Sequence, residues 1–280
     1  MSYVWHKQGQ ELLSEIQSFS LEQNCVGMWY IGQMGMIFRW NGITICVDPV
    51  LGAMPDDRGV DRRNYPVPFL PEDLQVDYVF CTHGHADHIH GETLRKLAQT
   101  NPQMEIYVPK PLTEVVAGYG IRTEQVKGIR QDEPSDFREG FSVRGVATAH
   151  EEYQYDEEGA SRTLGYVFRL GDHRLLHAGD TVVTQKLIGD LKEEHGLDAA
   201  MVPINGRDLE RHARGIVGNM DSCEACWFGS MIGADLLIPL HYDMIGGNEE
   251  NPLVFAEYME RMYPERRYHI MRLGEKIVIV

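Results

Sequence analysis

Positive charge is scarce in this chain of 280 residues: 26 lysines and arginines stand against 42 aspartates and glutamates, a formal net charge of -16. A surplus of that sign repels phosphate backbones and anionic lipid headgroups, which disfavours non-specific binding to nucleic acid or to an acidic membrane. An anionic substrate then needs a locally positive site, and bound metal ions can supply one. Cysteine is sparse too. Cys25, Cys46, Cys81, Cys223 and Cys226 are scattered and odd in number, which argues against a disulfide framework and fits a reducing compartment, so a cytoplasmic protein is expected. No apolar run approaches the ~18 residues of a membrane span. The N-terminal region carries Glu11, Glu15 and Glu22 where a signal peptide would be apolar. No low-complexity linker or fixed-period repeat divides the chain. With 43% hydrophobic residues, a single domain over residues 1–280 with a substantial core is expected, residues 1–24 forming a helical extension.

What the sequence does have is the stretch Cys81-Thr82-His83-Gly84-His85-Ala86-Asp87-His88. Three imidazoles and a carboxylate follow directly on the apolar run from Val76 to Cys81, which reads as a short buried strand. His83 and His85 are two apart, so an extended backbone sends both to one side, and Gly84 allows the chain to turn between them. Asp87 and His88 follow round the bend and can point to a second centre. Imidazole suits zinc, copper, iron and nickel, and an added carboxylate extends the choice to manganese. A polar surface loop is the competing reading. Four such ligands in this order directly after a strand weigh against it.

Along the chain, the helical spacing of Leu12, Leu13, Ile16 and Phe19 predicts an amphipathic helix over residues 8–19. Three apolar runs follow, Val26 to Ile31, Met36 to Trp40 and Ile43 to Asp48, and Asn41-Gly42 between the last two is a hairpin signal. The meander delivers Asp48 at a strand end, where it is either a turn-former or a partner for a ligand imidazole. Residues 50–71 form a long loop without periodicity, whose charges Asp56-Asp57-Arg58 and Asp61-Arg62-Arg63 face solvent or line the mouth of a site. Helices are expected over 92–99 and 112–119 and a strand over 104–108, an alternation that implies helices layered on a sheet. The run from Phe141 to Ala149 ends in His150. A hairpin of residues 166–170 and 174–177 runs into Gly179-Asp180. The strand 199–204 opens into Asn205-Gly206-Arg207-Asp208, a helix spans 221–232, and the strand 235–240 ends in His241-Tyr242-Asp243. After a helix over 253–262, residues 268–273 and 276–280 are expected to close the chain as a hairpin through Gly274. Strand ends in both halves carry metal-type ligands, so a weak resemblance between the halves is expected.

Asp48, the cluster from His83 to His88, His150, Asp180 and His241 thus all sit at strand ends, as if on one shared edge. At this point the sequence resembles the metallo-β-lactamase superfamily, whose signature His-x-His-x-Asp-His is followed at long intervals by His, Asp and His. The resemblance implies a four-layer αββα sandwich of the α/β (α+β) class with two divalent metal ions, manganese or zinc. It implies that His83, His85 and His150 bind the first metal, that Asp87, His88 and His241 bind the second, and that Asp180 bridges. Asp87 and Asp180 are the expected catalytic carboxylates and Asp48 a partner of a ligand. A narrower resemblance, to the L-ascorbate-6-phosphate lactonase-like branch, rests on Tyr30-Ile31-Gly32-Gln33-Met34-Gly35, Val47-Asp48-Pro49, Pro203-Ile204-Asn205-Gly206-Arg207-Asp208 and Pro239-Leu240-His241-Tyr242-Asp243. It implies a lactonase that opens a phosphorylated sugar acid by attack of a metal-bridging hydroxide, and a homo-oligomer. A small anionic phosphorylated substrate would be met by Asn205, Arg207 and Arg211, whose bland reading is a turn and surface salt bridges. A phosphodiesterase or nuclease with the same two metals, and a non-catalytic metal-stabilised binding protein, are the alternatives. Elsewhere, Cys223 and Cys226 form one pair with no second, which favours packed thiols over a structural zinc. His90 is expected beside the site or exposed, and His6, His173, His177, His195, His212 and His269 are given ordinary surface or core roles. Gly32 and Gly35 are expected to serve tight turning, because no lysine follows them to make a phosphate loop.

Overall fold

In the computed structural model, which describes residues 3–20, 24–194 and 196–280, the N-terminal helix α1 (Gly9–Ser18) buries Leu12, Leu13 and Ile16 on one face as its spacing requires. Glu22 and His195, named above, lie outside the described residues. The chain divides into two units. The first runs to Ile129 and takes in Met244–Gly246 and Arg272–Val280.

Its sheet has the order β14-β1-β2-β3-β4-β5-β6. Strands β1 (Val26–Gly32), β2 (Gly35–Trp40) and β3 (Ile43–Val47) form an antiparallel meander. Trp40 pairs with Ile43 around Asn41 and Gly42, whose φ of 43° and 81° are what a two-residue hairpin turn demands. Strands β4 (Tyr78–Phe80), β5 (Glu105–Pro109) and β6 (Val126–Ile129) then add in parallel to β3. Helices α2 (Gly91–Thr100) and α3 (Thr113–Ala117) belong to these crossovers. Leu94, Leu97 and Val116 of these helices share a buried apolar cluster with Leu12, Ile16, Val79, Ile106 and Val108. Each such side chain contributes about 1.5–3 kcal/mol on burial. Because β3 and β4 run parallel, their C-terminal ends lie side by side, and the Asp48 amide donates to the carbonyl of Phe80 at 2.9 Å. The strand direction therefore brings Asp48 to the start of the histidine cluster.

The second unit has the same strand arrangement, in the order β13-β12-β11-β10-β9-β8-β7. Strands β7 (Pro134–Arg138), β8 (Phe141–Ala147), β9 (Leu164–Leu170) and β10 (His173–His177) are antiparallel. Strands β11 (Ala199–Pro203), β12 (Leu236–Leu240) and β13 (Arg267–Tyr268) extend them in parallel. Helices α4 (Gln185–Lys192), α6 (Ser222–Ile232) and α7 (Pro252–Met262) place Leu187, Phe228 and Phe255 in one apolar cluster. The short α5 (Leu209–Ala213) buries none of its residues. An edge strand, a meander and three parallel strands thus recur in both halves, the resemblance expected from their ligand-bearing strand ends.

The mixed α/β reading holds, with two sheets and seven α-helices among the described residues. The C-terminal hairpin does not. Residues 267–268 pair with β12, whereas β14 (Lys276–Ile279) pairs with β1 in the other sheet. Gly274 has a φ of 73°, and its amide bonds to the carbonyl of Tyr30, so the turn hands the chain from one sheet to the other. No helix among the described residues is long and apolar enough to cross a membrane.

Candidate metal centre

In the first unit the cluster occupies the turn after β4. The amides of His88 and Ile89 both donate to the carbonyl of His85, closing a compact bend that carries all four candidate residues, His83, His85, Asp87 and His88. Asp48, wholly buried, anchors this bend from the end of β3. Its Oδ1 accepts the Thr82 amide at 2.8 Å and its Oδ2 the Thr82 hydroxyl at 2.7 Å. The same Oδ2 lies 2.7 Å from Nδ1 of His88. An ionised carboxylate only accepts, so the His88 proton sits on Nδ1 and the lone pair on Nε2. His83 and His85 bring Nε2 and Nδ1 to 2.9 Å, and the rings of His83 and His88 stand 4.0 Å apart. Asp87 Oδ2 is 3.7 Å from His88 Nε2 and accepts the side-chain amide of Gln33 at 2.7 Å. Cys81 directly precedes the cluster, and burial, then the Asp48 charge, hold its thiol well above the usual range. The first half is an imidazole and carboxylate site.

In the second unit two imidazoles converge on one carboxylate. Asp180 Oδ2 is 3.1 Å from Nε2 of His241 and 3.6 Å from Nε2 of His150, and all three residues are buried. His150 Nδ1 lies 3.2 Å from the carbonyl of Gly218, a contact that places its proton there and leaves the lone pair on Nε2. The Asn219 amide donates to Asp180 Oδ2 at 2.9 Å and to Asn205 Oδ1 at 3.0 Å. Parallel pairing again explains the placing. Asp180 follows β10, Asn205 follows β11 and His241 follows β12, so they emerge at neighbouring strand ends. Histidines and aspartates of the kinds that hold metal ions are therefore present in both units, and their N/O chemistry fits zinc or manganese.

The other expected residues have defined places. Arg207 donates from both terminal nitrogens to Glu224 at 2.6 Å, and Nη1 also to the carbonyl of Asn219. Arg211 reaches the carbonyls of Asn205 and Glu249. Asn205 is fully buried against Asn248 and Asn219. These three tie the segment after β11 to its surroundings. Arg58 faces outward on Asp56, whereas Arg63 turns in to the carbonyls of Val50, Gly52 and Tyr65. His90 is buried, its pKa lowered chiefly by desolvation, and it caps α2 by accepting from the Thr93 amide. Cys226 packs inside with its thiol pushed up to about 12 by burial, while Cys223 is exposed. Gln33 and Thr82 stand inside motifs quoted above without a role assigned to them, and Gly218 and Asn219 stand in none. Their residue types are ordinary, and a polar side chain inside a turn was the one signal available for Gln33.

Imidazoles and carboxylates of the kinds that can hold a metal ion thus lie at strand ends in two sheets with the same strand arrangement. The Beta-lactamase superfamily domain model matches residues 44–242, and the chain belongs to that family. A UPF0173 metal-dependent hydrolase of Bacillus cereus is 26% identical over 257 residues, covering 89% of this chain and 98% of that protein. Among solved structures, a metallo hydrolase of the archaeon Ignicoccus hospitalis shares the fold at 19% identity and a TM-score of 0.70, covering 92% of this chain and 99% of its own. An isothiocyanate hydrolase from Delia radicum gut bacteria also has a TM-score of 0.70 at 18% identity, covering 90% of this chain and 98% of its own. Both are similar in fold, the metallo-β-lactamase fold.

Proposed function

We propose that the protein is a metal-dependent hydrolase that opens an ester bond, in particular the lactone of a small anionic phosphorylated sugar acid such as L-ascorbate 6-phosphate. The observation that carries the hydrolase reading is that ligand rings in both units already have their second nitrogen engaged, His88 by Asp48 and His150 by Gly218. Rings held in this way present a fixed tautomer, the usual condition of a metal-bound histidine. The description of the Bacillus relatives as metal-dependent hydrolases supports the reading. The lactone rests on the motifs around Gly32-Gln33, Asn205-Gly206 and His241-Tyr242.

The ligand assignment follows the family signature: His83, His85 and His150 for one ion, Asp87, His88 and His241 for the other, and Asp180 shared. Divalent ions held there would supply Lewis acidity and would lower the pKa of a water to about 7. The chain supplies the rest. Asp48, Thr82 and the Gly218 carbonyl hold the imidazoles in one orientation, which limits reorganisation during the reaction. Asp87 and Asp180 would orient the attacking water, and one of them would take its proton and hand it on to the leaving oxygen.

Protein stripped with a chelator and refilled separately with manganese or zinc should hydrolyse L-ascorbate 6-phosphate, followed by loss of ultraviolet absorbance. His150→Ala should fold and lose most of that rate. Turnover confined to a phosphodiester probe would replace the lactone by a phosphodiester. Full activity in His150→Ala would remove the ligand assignment.

A further inference from the structure

Each half-site contains a buried carboxamide whose place neither the family signature nor the hydrolase reading explains. Gln33 sits in the turn between β1 and β2, 1% exposed, with a φ of 60° that a side chain beyond glycine seldom adopts. The turn is tightly fixed. A Cβ on neighbouring Gly32, itself at a φ of 97°, would meet the Tyr65 hydroxyl at 2.3 Å, and the Tyr30 hydroxyl donates to the Gln33 carbonyl at 3.2 Å. From this turn Gln33 Nε2 reaches Asp87 Oδ2 at 2.7 Å, across 54 residues of sequence.

Asn219 does the same in the second unit. It is wholly buried, its backbone is held by Gly206 and Arg207, and its Nδ2 reaches Asp180 Oδ2 at 2.9 Å. An ionised carboxylate only accepts, so in both contacts the amide nitrogen must face the acid. A carboxylate offers about four lone-pair sites, and one N–H occupies one of them. A neutral donor leaves the full negative charge for a cation, where lysine or arginine would cancel it. An amide is therefore suited to fixing a ligand without competing with the metal.

We propose that Gln33 and Asn219 are matched positioning residues, each pinning one oxygen of a carboxylate, Asp87 and Asp180 respectively, so that the acid meets a divalent ion already oriented. This rests on the metal-centre reading above. Partners of this kind around metal ligands are worth about 10–100-fold in affinity.

The test is calorimetric titration of chelator-stripped protein with manganese chloride alone, beside the thermal midpoint of the stripped protein. Wild type is titrated first. Absence of any binding there overturns the metal-centre reading itself, and this inference with it. Given binding by wild type, Gln33→Met removes the donor at similar length, while Gln33→Glu and Asn219→Asp keep the shape and place an acceptor against an acceptor. The expected result is a stripped-protein midpoint close to wild type in the Met variant and a manganese affinity lower by about 10–100-fold in all three. Folded variants that bind manganese like wild type overturn the inference. So does loss of fold in all three, which makes the amides structural.

Discussion

Asp48 shows how much one residue does in the first half-site. It accepts two bonds from Thr82 while holding Nδ1 of His88, and it is fully buried with a φ of 45°. Asp48→Asn keeps its volume and puts an amide where a pure acceptor stood. We expect a folded protein with manganese affinity reduced about 10–100-fold, measured by titration of the stripped protein. Unchanged affinity would show that the His88 tautomer is set by something else. At this scale the sequence was informative wherever the chemistry is rare. Imidazoles and carboxylates at strand ends name themselves, and Asp48 could be read as a partner because it ends a strand. Gln33 and Asn219 could not, because amides are common in turns and their targets lie 54 and 39 residues away.

Elements were legible where local pattern and tertiary packing agree. The meander β1 to β3 and helices α1, α2, α6 and α7 carry clear periodicity or turn chemistry, and their bounds lie within a few residues of expectation. Strands β6 and β7 were missed. The first is four residues long, and the second alternates exposed and half-buried positions with no apolar face. The expected C-terminal hairpin failed for a different reason: a glycine turn between two extended runs has the same local signature whether they pair with each other or with separate sheets. Helix α6 offers a clean test of local physics. Asp221 caps it and forms a capping box with Glu224. Asp221→Ala should lower the unfolding free energy by about 1 kcal/mol in urea, within the usual range for lost caps. No measurable change would mean that tertiary packing alone fixes the start of α6.

For the molecule as a whole, a net charge of -16 and the two carboxylates among the proposed ligands, Asp87 and Asp180, pull in the same direction. Both make the metal-free protein electrostatically uneasy, because like charges raise one another's free energy when no cation is present. Any ion that binds the folded chain and not the unfolded one stabilises it, by about 2.7 kcal/mol at one hundred times its dissociation constant. Thermal midpoints of stripped protein should therefore rise with added manganese or zinc and stay put with sodium at equal ionic strength. An equal rise with sodium would assign the effect to charge screening alone. The measurement that goes most directly to a two-metal centre is the number of ions taken up, by elemental analysis of stripped protein after refilling and desalting. Two ions per chain are expected, falling to one or fewer in His241→Ala. No retained metal, or retention unaffected by His241→Ala, would contradict the ligand assignment on which the hydrolase reading depends.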